Sequence, residues 1–546
     1  MSKKKITNPT TTNNLFELIT PTAIALFVII VLTILLRLHA LDIPLERDEG
    51  EYAYAGQLIL DGYPPYQHVY NMKLPGIYYT YAGLMAIFGE TTRGIHLGLV
   101  LFNIISIILI YQLVASFSNR TSALAAAGCY AVLSASQSVL GLSANAEHFV
   151  LVPALLGILF MNRALKAPRN WMIFVSGACL GIAFIIKQQG AVFAIFTYVY
   201  LVISFMRIRP FSLRSLIGKS AWFSLGVGIP YILTCLLMMY YGVFHAFWFW
   251  TVKYAQAYSS IVPLSRGLSY LQLQAVGIVG SSPLIWFLVL IGTTTVLIDK
   301  QLKEHRPVIL LFVLFSFMAV CPGLYFRAHY FIFFLPAAAM LGGLSTLLIT
   351  NLISRFVEPP LYRQVILIAI LSLCISEAVY EQRYLFQLTP MQISRATYGD
   401  NPFPESVEIS RFINAYTKEN ESVAVLGSEP QIFFYAHRRS ATGFIYMYPL
   451  MEPHAYALKM QTDLIKEIES SRPKILVFVN IPFSWLARPD SKNLIFNWAD
   501  KYQKTYYRLI GIIDISGRET QYSWEPNIIP PRSSSFISLY ERKRDS

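Results

Sequence analysis

Long apolar runs constrain this chain more than any other feature. Runs long enough to cross a bilayer recur near residues 19–41, 95–117, 121–141, 147–164, 171–187, 189–206, 217–241, 271–298, 307–326, 329–352 and 364–380. That is about eleven spans at ~20 residues each. Only 14% of the 546 residues are charged, where a soluble protein carries about 25%. Most of the chain therefore belongs in lipid. The formal charge of +13 raises nucleic acid as a partner. The Lys and Arg residues fall mainly between apolar runs, however, where orientation in a membrane explains them, so nucleic acid is excluded.

Charge between the runs sets the expected topology. The stretch 76–89 is short and rich in Gly and Tyr, and reads as a helix lying at the outer interface. With that reading, Arg120, Arg163, Lys166, Arg169, Arg207, Arg209, Arg214, Lys219, Lys300, Lys303, Arg306, Arg355 and Arg363 all fall on the inner side. Counting 76–89 as a span inverts every later loop. Lys3, Lys4 and Lys5 precede a first run with no small-residue cleavage site, so it reads as a retained helix. The expected domains are a cytoplasmic tail (1–18), a membrane domain (19–383) whose first outer loop is 42–92, and an extracytoplasmic unit (384–546). The setting is a cell inner or plasma membrane. The five cysteines lie in apolar runs with no metal spacing and read as core residues.

The tail reads as a small α/β domain. Pro402 and Pro404 mark a linker. Ser422–Leu426 and Lys474–Val479 have the short β-branched pattern of buried strands, Asn493–Tyr506 has helical spacing, and Tyr507–Ile515 and Phe536–Tyr540 read as later strands. The fold class expected is an all-α polytopic bundle with interfacial helices in its first outer loop, plus this C-terminal α/β domain.

Directly after the first run comes Glu46-Arg47-Asp48-Glu49-Gly50-Glu51-Tyr52. Charge held at a membrane boundary is costly unless it faces water, a partner or a substrate. Asp48 and Glu49 could take or orient the proton of a hydroxyl acceptor; the alternative is a solvated acidic loop. Lys73, later in the same loop, could stabilise a departing lipid phosphate, or snorkel to head groups. Arg327, His329 and Tyr330 sit together between two spans. They suit phosphate oxygens, or form an interfacial cluster with Tyr in an aromatic belt.

Asn145 and Glu147 open a span at its outer end. They read as contacts to acceptor or sugar hydroxyls, or as a helix cap with a dipole-favoured acid. Lys187 is a phosphate contact or a span-end lysine. The aromatics Phe244, Phe247, Trp248, Phe249, Trp250 and Tyr254 read as belt residues. Gly427-Ser428-Glu429-Pro430 reads as a turn into a helix.

Three stretches together resemble the polytopic glycosyltransferases of the C superfamily. More narrowly, the chain resembles family 39, the protein O-mannosyltransferase and lipid A aminoarabinose transferase group. The stretches are Arg47 to Ala53; Asp61-Gly62-Tyr63-Pro64 through Lys73-Leu74-Pro75-Gly76 to Phe88-Gly89; and Arg327-Ala328-His329-Tyr330-Phe331 with Pro336. The resemblance implies transfer of a sugar, hexosyl or pentosyl, from a polyprenyl phosphate to a hydroxyl acceptor on the outer face, with inversion.

On that likeness Asp48 is the catalytic carboxylate with Glu49 its partner. Lys73, Arg327, His329, Tyr330 and Lys187 hold the donor phosphate. Glu147, Asn145 and Glu51 meet acceptor or sugar. The implied partners are the lipid-linked donor, a glycan, lipid or protein acceptor, and the bilayer. Met72 and Leu74 depart from the common pattern of an acid before the lysine and a second proline after it. No cofactor is expected. A divalent metal, used in the oligosaccharyltransferase branch, is the open alternative. The rival functions are a lipid-linked sugar flippase or transporter, which often carries internal repeats and broken helices, and a membrane sensor with an outer α/β domain.

Overall fold

The computed structural model describes residues 20–544, apart from 168, 208, 209 and 518. The expected cytoplasmic tail 1–18 and Arg209 lie outside the described residues. The chain begins with α1 (Pro21–Leu38), whose first turn is capped by Thr20 and carries Pro21 where no amide donor is needed. The first loop is largely helical: α2 (Arg47–Leu60) and α3 (Gly76–Phe88) pack against each other. The bundle continues with α4 (Thr92–Phe117), α5 (Arg120–Leu133), α6 (Ala146–Lys166), α7 (Asn170–Ile186), α8 (Gly190–Arg207) and α9 (Leu213–Tyr240). Two short helices, α10 (Phe244–Trp248) and α11 (Ala255–Ser259), flank a π-helical segment, Phe249–Tyr254. Then come α12 (Leu264–Gly280), α13 (Pro283–Ile298), α14 (Arg306–Met318), α15 (Leu335–Ile353) and α16 (Pro360–Glu381).

Among the described residues, 7 helices are long and apolar enough to cross a membrane, or up to 8 with one bent pair. The difference from about eleven expected spans has local causes. The run 271–298 is not one helix: α12 and α13 meet at 104°, where Pro283 supplies no amide donor to continue the ladder. The elements α5, α7 and α14 occupy expected runs but hold only 14, 17 and 13 residues. The stretch 76–89 does form a helix. At 13 residues and ~1.5 Å per residue it is too short to cross a bilayer core of about 30 Å.

Close helix contact needs missing side chains. A Cβ on Gly177 of α7 would sit 2.3 Å from the Phe223 carbonyl of α9, and one on Gly226 of α9 would sit 2.2 Å from the Phe174 carbonyl. Two backbones approach there as small residues permit. The helices α6, α7 and α8 place one end at Glu147, Lys187 and Gly190. Their other ends lie among the cationic loops, where Lys166 donates to the Ser116 carbonyl and Arg207 to the Glu304 carbonyl.

After the bundle, α17 (Tyr384–Gln387) and α18 (Pro390–Tyr398) lead into α19 (Phe403–Tyr416). Pro402 and Pro404 are not a loose linker: Pro404 stands in the first turn of α19, and Arg395 of α18 pairs with buried Glu405. The domain then runs through β1 (Val423–Leu426), α20 (Gln431–Ala436), α21 (Tyr448–Met451), α22 (Ala457–Ser471), β2 (Ile475–Asn480), α23 (Pro482–Trp485), α24 (Leu494–Tyr506), β3 (Tyr507–Ser516), β4 (Glu519–Trp524) and β5 (Phe536–Arg542). The sheet order is β1-β2-β5-β3-β4, with β1 and β2 parallel and every other pair antiparallel. Strand β4 was not expected; it is an edge strand whose side chains are mostly exposed.

The tail is not set apart from the bundle. One hydrophobic cluster runs from Ile110 and Ile158 of the bundle to Ile409, Val425 and Ile475 of the tail. The turn Gly427–Pro430 does lead into a helix, as expected, but it also receives α2. A Cβ on Gly50 would lie 2.7 Å from Gln431. Glu429 forms a buried ion pair with Arg47 at 3.0 Å.

Candidate active site

The acidic stretch after α1 is the N-terminus of α2 rather than a loop. Glu46 caps it: its carboxylate accepts from the Glu49 amide at 3.2 Å, and the Glu49 carboxylate accepts from the Glu46 amide at 3.1 Å. This reciprocal box satisfies two amides, and the helix dipole favours acids in the first turn. Burial, with Asp48 and Glu49 nearby, raises the Glu46 carboxyl to about 8. That shift lessens the negative charge Glu46 places beside Asp48.

Within that turn, adjacent acids face different ways. Glu49 is buried; its Oε1 accepts from the Ala144 amide at 2.6 Å and bonds His96 Nε2 at 2.9 Å. It does not line the cavity described below. The expected catalytic partner of Asp48 instead ties the start of α2 to α4 and the loop before α6. Glu51 is also buried. It accepts from Lys73 at 2.9 Å, Asn71 at 2.8 Å and Tyr78 at 2.6 Å, behind Lys73.

Asp48 faces a cavity of about 190 Å³. Lys73, Lys187, Arg327, His329 and Tyr330 line the same cavity, so six of the ten candidate residues converge from four separate parts of the chain. Lys73 Nζ lies 2.8 Å from Asp48 Oδ1, with its ammonium 4.5 Å from the centre of the Tyr52 ring. Lys187 pairs with buried Glu147 and stands 4.8 Å from the Tyr330 ring centre. Glu147 is thus one shell behind the wall. Asn145 precedes α6 but its side chain does not cap it: neither side-chain atom of this buried amide has a hydrogen-bond partner among the described residues.

The electrostatics favour an anion beside a carboxylate. Arg327 has no carboxylate partner among the described residues; Tyr258 bonds it and the Tyr325 ring lies 5.6 Å away. Burial works to raise the Asp48 carboxyl, but the Lys73 ammonium, then Arg327, hold it well below the usual carboxylate range. Burial and the nearby Lys187 charge push the His329 imidazole well down, so it is neutral at physiological pH. Lys73, Lys187 and Arg327 then bring three positive charges to a wall where Asp48 is the ionised acid. Convergent fixed cations of this kind bind and stabilise phosphate oxygens.

Part of the wall was not foreseen. Tyr446, Tyr448 and Glu452 reach it from the tail, and Tyr254 and Tyr258 from the aromatic segment. Tyr254 donates to Glu452 Oε2 at 2.7 Å. Burial raises the Glu452 carboxyl to about 7. The aromatic segment is not simply a lipid belt. Phe247, Trp250 and Tyr254 are buried, with Trp250 stacked on Tyr70 at 6.0 Å and Phe247 edge-on to Tyr66 at 5.5 Å; Trp248 remains 41% exposed. The density of aromatics over Phe444–Tyr448, unusual for a soluble stretch, was the available signal for the tail's contribution. Among the described residues no group of three or more His, Cys, Asp or Glu side chains is disposed to hold a metal.

A family model described as dolichyl-phosphate-mannose-protein mannosyltransferase matches residues 72–232. Among curated proteins no relative matches. The chain is similar in structure to ArnT from Cupriavidus metallidurans bound to undecaprenyl phosphate. The TM-score is 0.56 at 14% identity, covering 94% of this chain and 97% of that one. It is also similar to the oligosaccharyltransferase AglB from Archaeoglobus fulgidus in complex with an inhibitory peptide and a dolichol-phosphate. There the TM-score is 0.52 at 13% identity, covering 96% and 76%. The likeness to both is one of fold, a helical bundle with a small C-terminal sheet domain.

Proposed function

We propose that the chain is an integral membrane glycosyltransferase that moves a sugar from a polyprenyl phosphate to a hydroxyl acceptor. The observation that carries this reading is the joint presence of Asp48, Lys73 and Arg327 in one cavity. Matched solved structures that hold undecaprenyl phosphate or a dolichol-phosphate support it, as does the family-model match. In the proposed reaction the acceptor hydroxyl gives its proton to Asp48 as its oxygen attacks the anomeric carbon. The bond from that carbon to the phosphate oxygen breaks on the opposite face, which inverts the centre. Lys73, Arg327 and Lys187 meet the charge that grows on the leaving phosphate. His329 and Tyr330 orient it, and Glu147 holds Lys187. Glu49 and Glu51 act through structure, Glu49 by fixing α2 and Glu51 by fixing Lys73.

The cationic loops lie at the helix ends away from the cavity. The positive-inside rule then opens the cavity to the outer face of an inner or plasma membrane, with the tail domain outside. The bend between α12 and α13 is a feature a transporter reading could use. Neither helix lines the cavity, so the break is not a substrate site in the sense that transporters use one.

Mass spectrometry of glycolipids and glycoproteins in a deletion strain against its parent tests the proposal. Loss of one sugar-bearing product is expected. An unchanged set of products overturns the enzyme reading. Two further results are expected. Transfer should persist in excess EDTA, because Asp48 Oδ1 is already shared by Lys73 and Tyr446, and Glu452, which lines the same cavity, is held by Tyr254. A chelator-sensitive rate restored by Mg²⁺ or Mn²⁺ would contradict that. Lys73→Met should weaken undecaprenyl phosphate binding about tenfold or more, through loss of a charge-assisted contact, read by native mass spectrometry. It should also let burial raise the Asp48 carboxyl, moving the acid limb of the rate profile to higher pH.

A further inference from the structure

Asp48 is held from two directions. Its Oδ1 accepts from Lys73 Nζ at 2.8 Å and from the Tyr446 phenol at 3.0 Å. Its Oδ2 has no hydrogen-bond partner among the described residues, and the carboxylate lines the cavity. The two donors come from places far apart in the chain, one from the first loop and one from the tail, 398 residues beyond Asp48. The Tyr446 phenol is itself well fixed. Its ring meets that of Tyr448 edge-on at 4.8 Å, and Tyr448 donates to the Phe483 carbonyl at 2.7 Å. The Met447 amide donates to Ser428 Oγ at 2.8 Å, and Ser428 Oγ donates to the Ser484 carbonyl at 2.6 Å. Further back, the Tyr70 amide donates to the Gly443 carbonyl at 2.8 Å, and a Cβ on Gly443 would fall 2.4 Å from the Tyr70 ring. The segment 443–448 is thus clamped between the tail sheet and the first loop.

A carboxylate can rotate, and its two oxygens are equivalent until something distinguishes them. Two donors on one oxygen do so, because turning the group would forfeit both bonds. We propose that Tyr446 is a positioning residue for the reaction: with Lys73 it locks Asp48 Oδ1, so that Oδ2 is the atom aimed into the cavity to receive the acceptor's proton. This rests on the reading of Asp48 as the base. It also makes the tail domain part of the reacting geometry rather than a cover over it. Burial and the Asp48 charge hold the Tyr446 phenol well above its ordinary range, so it remains a donor throughout the working pH range. When a leaving phosphate competes for Lys73, Tyr446 is the donor that stays on Oδ1. A bond from a neutral phenol to a carboxylate also favours the ionised form.

The test uses the full chain, wild type, Tyr446→Phe and Asp48→Asn, in membranes of the deletion strain. The readout is the sugar-bearing product that the deletion removes, followed against pH. Tyr446→Phe is expected to lower kcat by about ten- to a hundredfold, the scale of a hydrogen bond to a charged group. KM for the donor should be little changed, and the acid limb should move to higher pH. Native mass spectrometry with undecaprenyl phosphate confirms that each variant is folded and binds. A cryo-electron microscopy map of Tyr446→Phe is expected to show the Asp48 carboxylate rotated. Wild-type rate and pH profile in Tyr446→Phe, or an unrotated carboxylate in its map, overturns the proposal. Native transfer by Asp48→Asn instead overturns the base assignment beneath it.

Discussion

Asp48→Asn lowers sugar transfer by about 10²–10⁴-fold, the range a positioned general base contributes, while undecaprenyl phosphate still binds. The substitution is nearly isosteric. An amide oxygen at the Oδ1 position can still accept from Lys73 and Tyr446, so the cavity wall keeps its shape. What disappears is an atom able to take a proton. Glu51 remains 2.9 Å from Lys73, so the lysine keeps one carboxylate and the phosphate side keeps its cations. The effect should therefore fall on kcat and leave donor binding nearly intact, the reverse of the pattern for Lys73→Met. The pH dependence has a definite sign. Lys73 and Arg327 together outweigh burial and hold the Asp48 carboxyl far below neutrality. The basic form is thus fully present across pH 5–8, and the wild-type rate should show no acid limb from Asp48 there. A stopped-time assay of product in membranes, with binding followed by native mass spectrometry, separates the two. Retained turnover in Asp48→Asn would remove Asp48 from the reaction.

The site was legible where chemistry is local and obscure where it is assembled across the chain. Asp48, Lys73, Arg327 and His329 could be read because each is a costly charge or polar group at a span end or, for Lys73, in the first outer loop. Four of the tail strands could be read because β1, β2, β3 and β5 carry short apolar runs. The nature of α2 was missed although its signal was present: Glu46 and Glu49 have the spacing of a capping box, but a run of acids invites a loop reading. Glu49 and Asp48 look interchangeable in sequence. Adjacent residues on a helix point about 100° apart, and only the fold shows that one meets His96 while the other meets the cavity. The break between α12 and α13 follows from Pro283, yet hydropathy averages across it. Tyr446 and Glu452 were out of reach. Their role depends on docking two segments 398 residues apart; the aromatic density over Phe444–Tyr448 marks the segment but does not say what it docks against.

That docking has a single point of greatest consequence. Arg47 stands beside Asp48 at the start of α2. Its Nε donates to the Ser428 carbonyl at 2.6 Å, its Nη2 reaches Glu429 at 3.0 Å and Asn401 at 3.1 Å, and its guanidinium lies 5.4 Å from the ring centres of both Phe403 and Tyr448. Glu429 has no exposure and takes a second bond from Ser484 at 2.6 Å. Removing one partner of a buried pair leaves an uncompensated charge, and Arg47→Met is expected to cost about 3–5 kcal/mol. Burial already raises the Glu429 carboxyl against the pull of Arg47. Without the arginine it takes up a proton, and that limits the loss. Since the folded carboxyl then sits above its unfolded value, the variant's stability is greatest at low pH and falls as pH rises through the raised pKa. Replacing both partners, Arg47→Met with Glu429→Met, removes the stranded charge and is expected to recover most of the loss, because an apolar pair of similar volume can match a buried ion pair. Thermal unfolding of the three variants measures the coupling. Hydrogen exchange over 443–452 shows where it acts: that segment should open in Arg47→Met and close again in the double variant. If it opens, Tyr446 leaves Asp48 and transfer falls with it, even though Arg47 touches no substrate. Equal stability for Arg47→Met and the wild type would mean that the tail is held by its apolar contacts alone, and that the ion pair sets only where α2 meets Ser428.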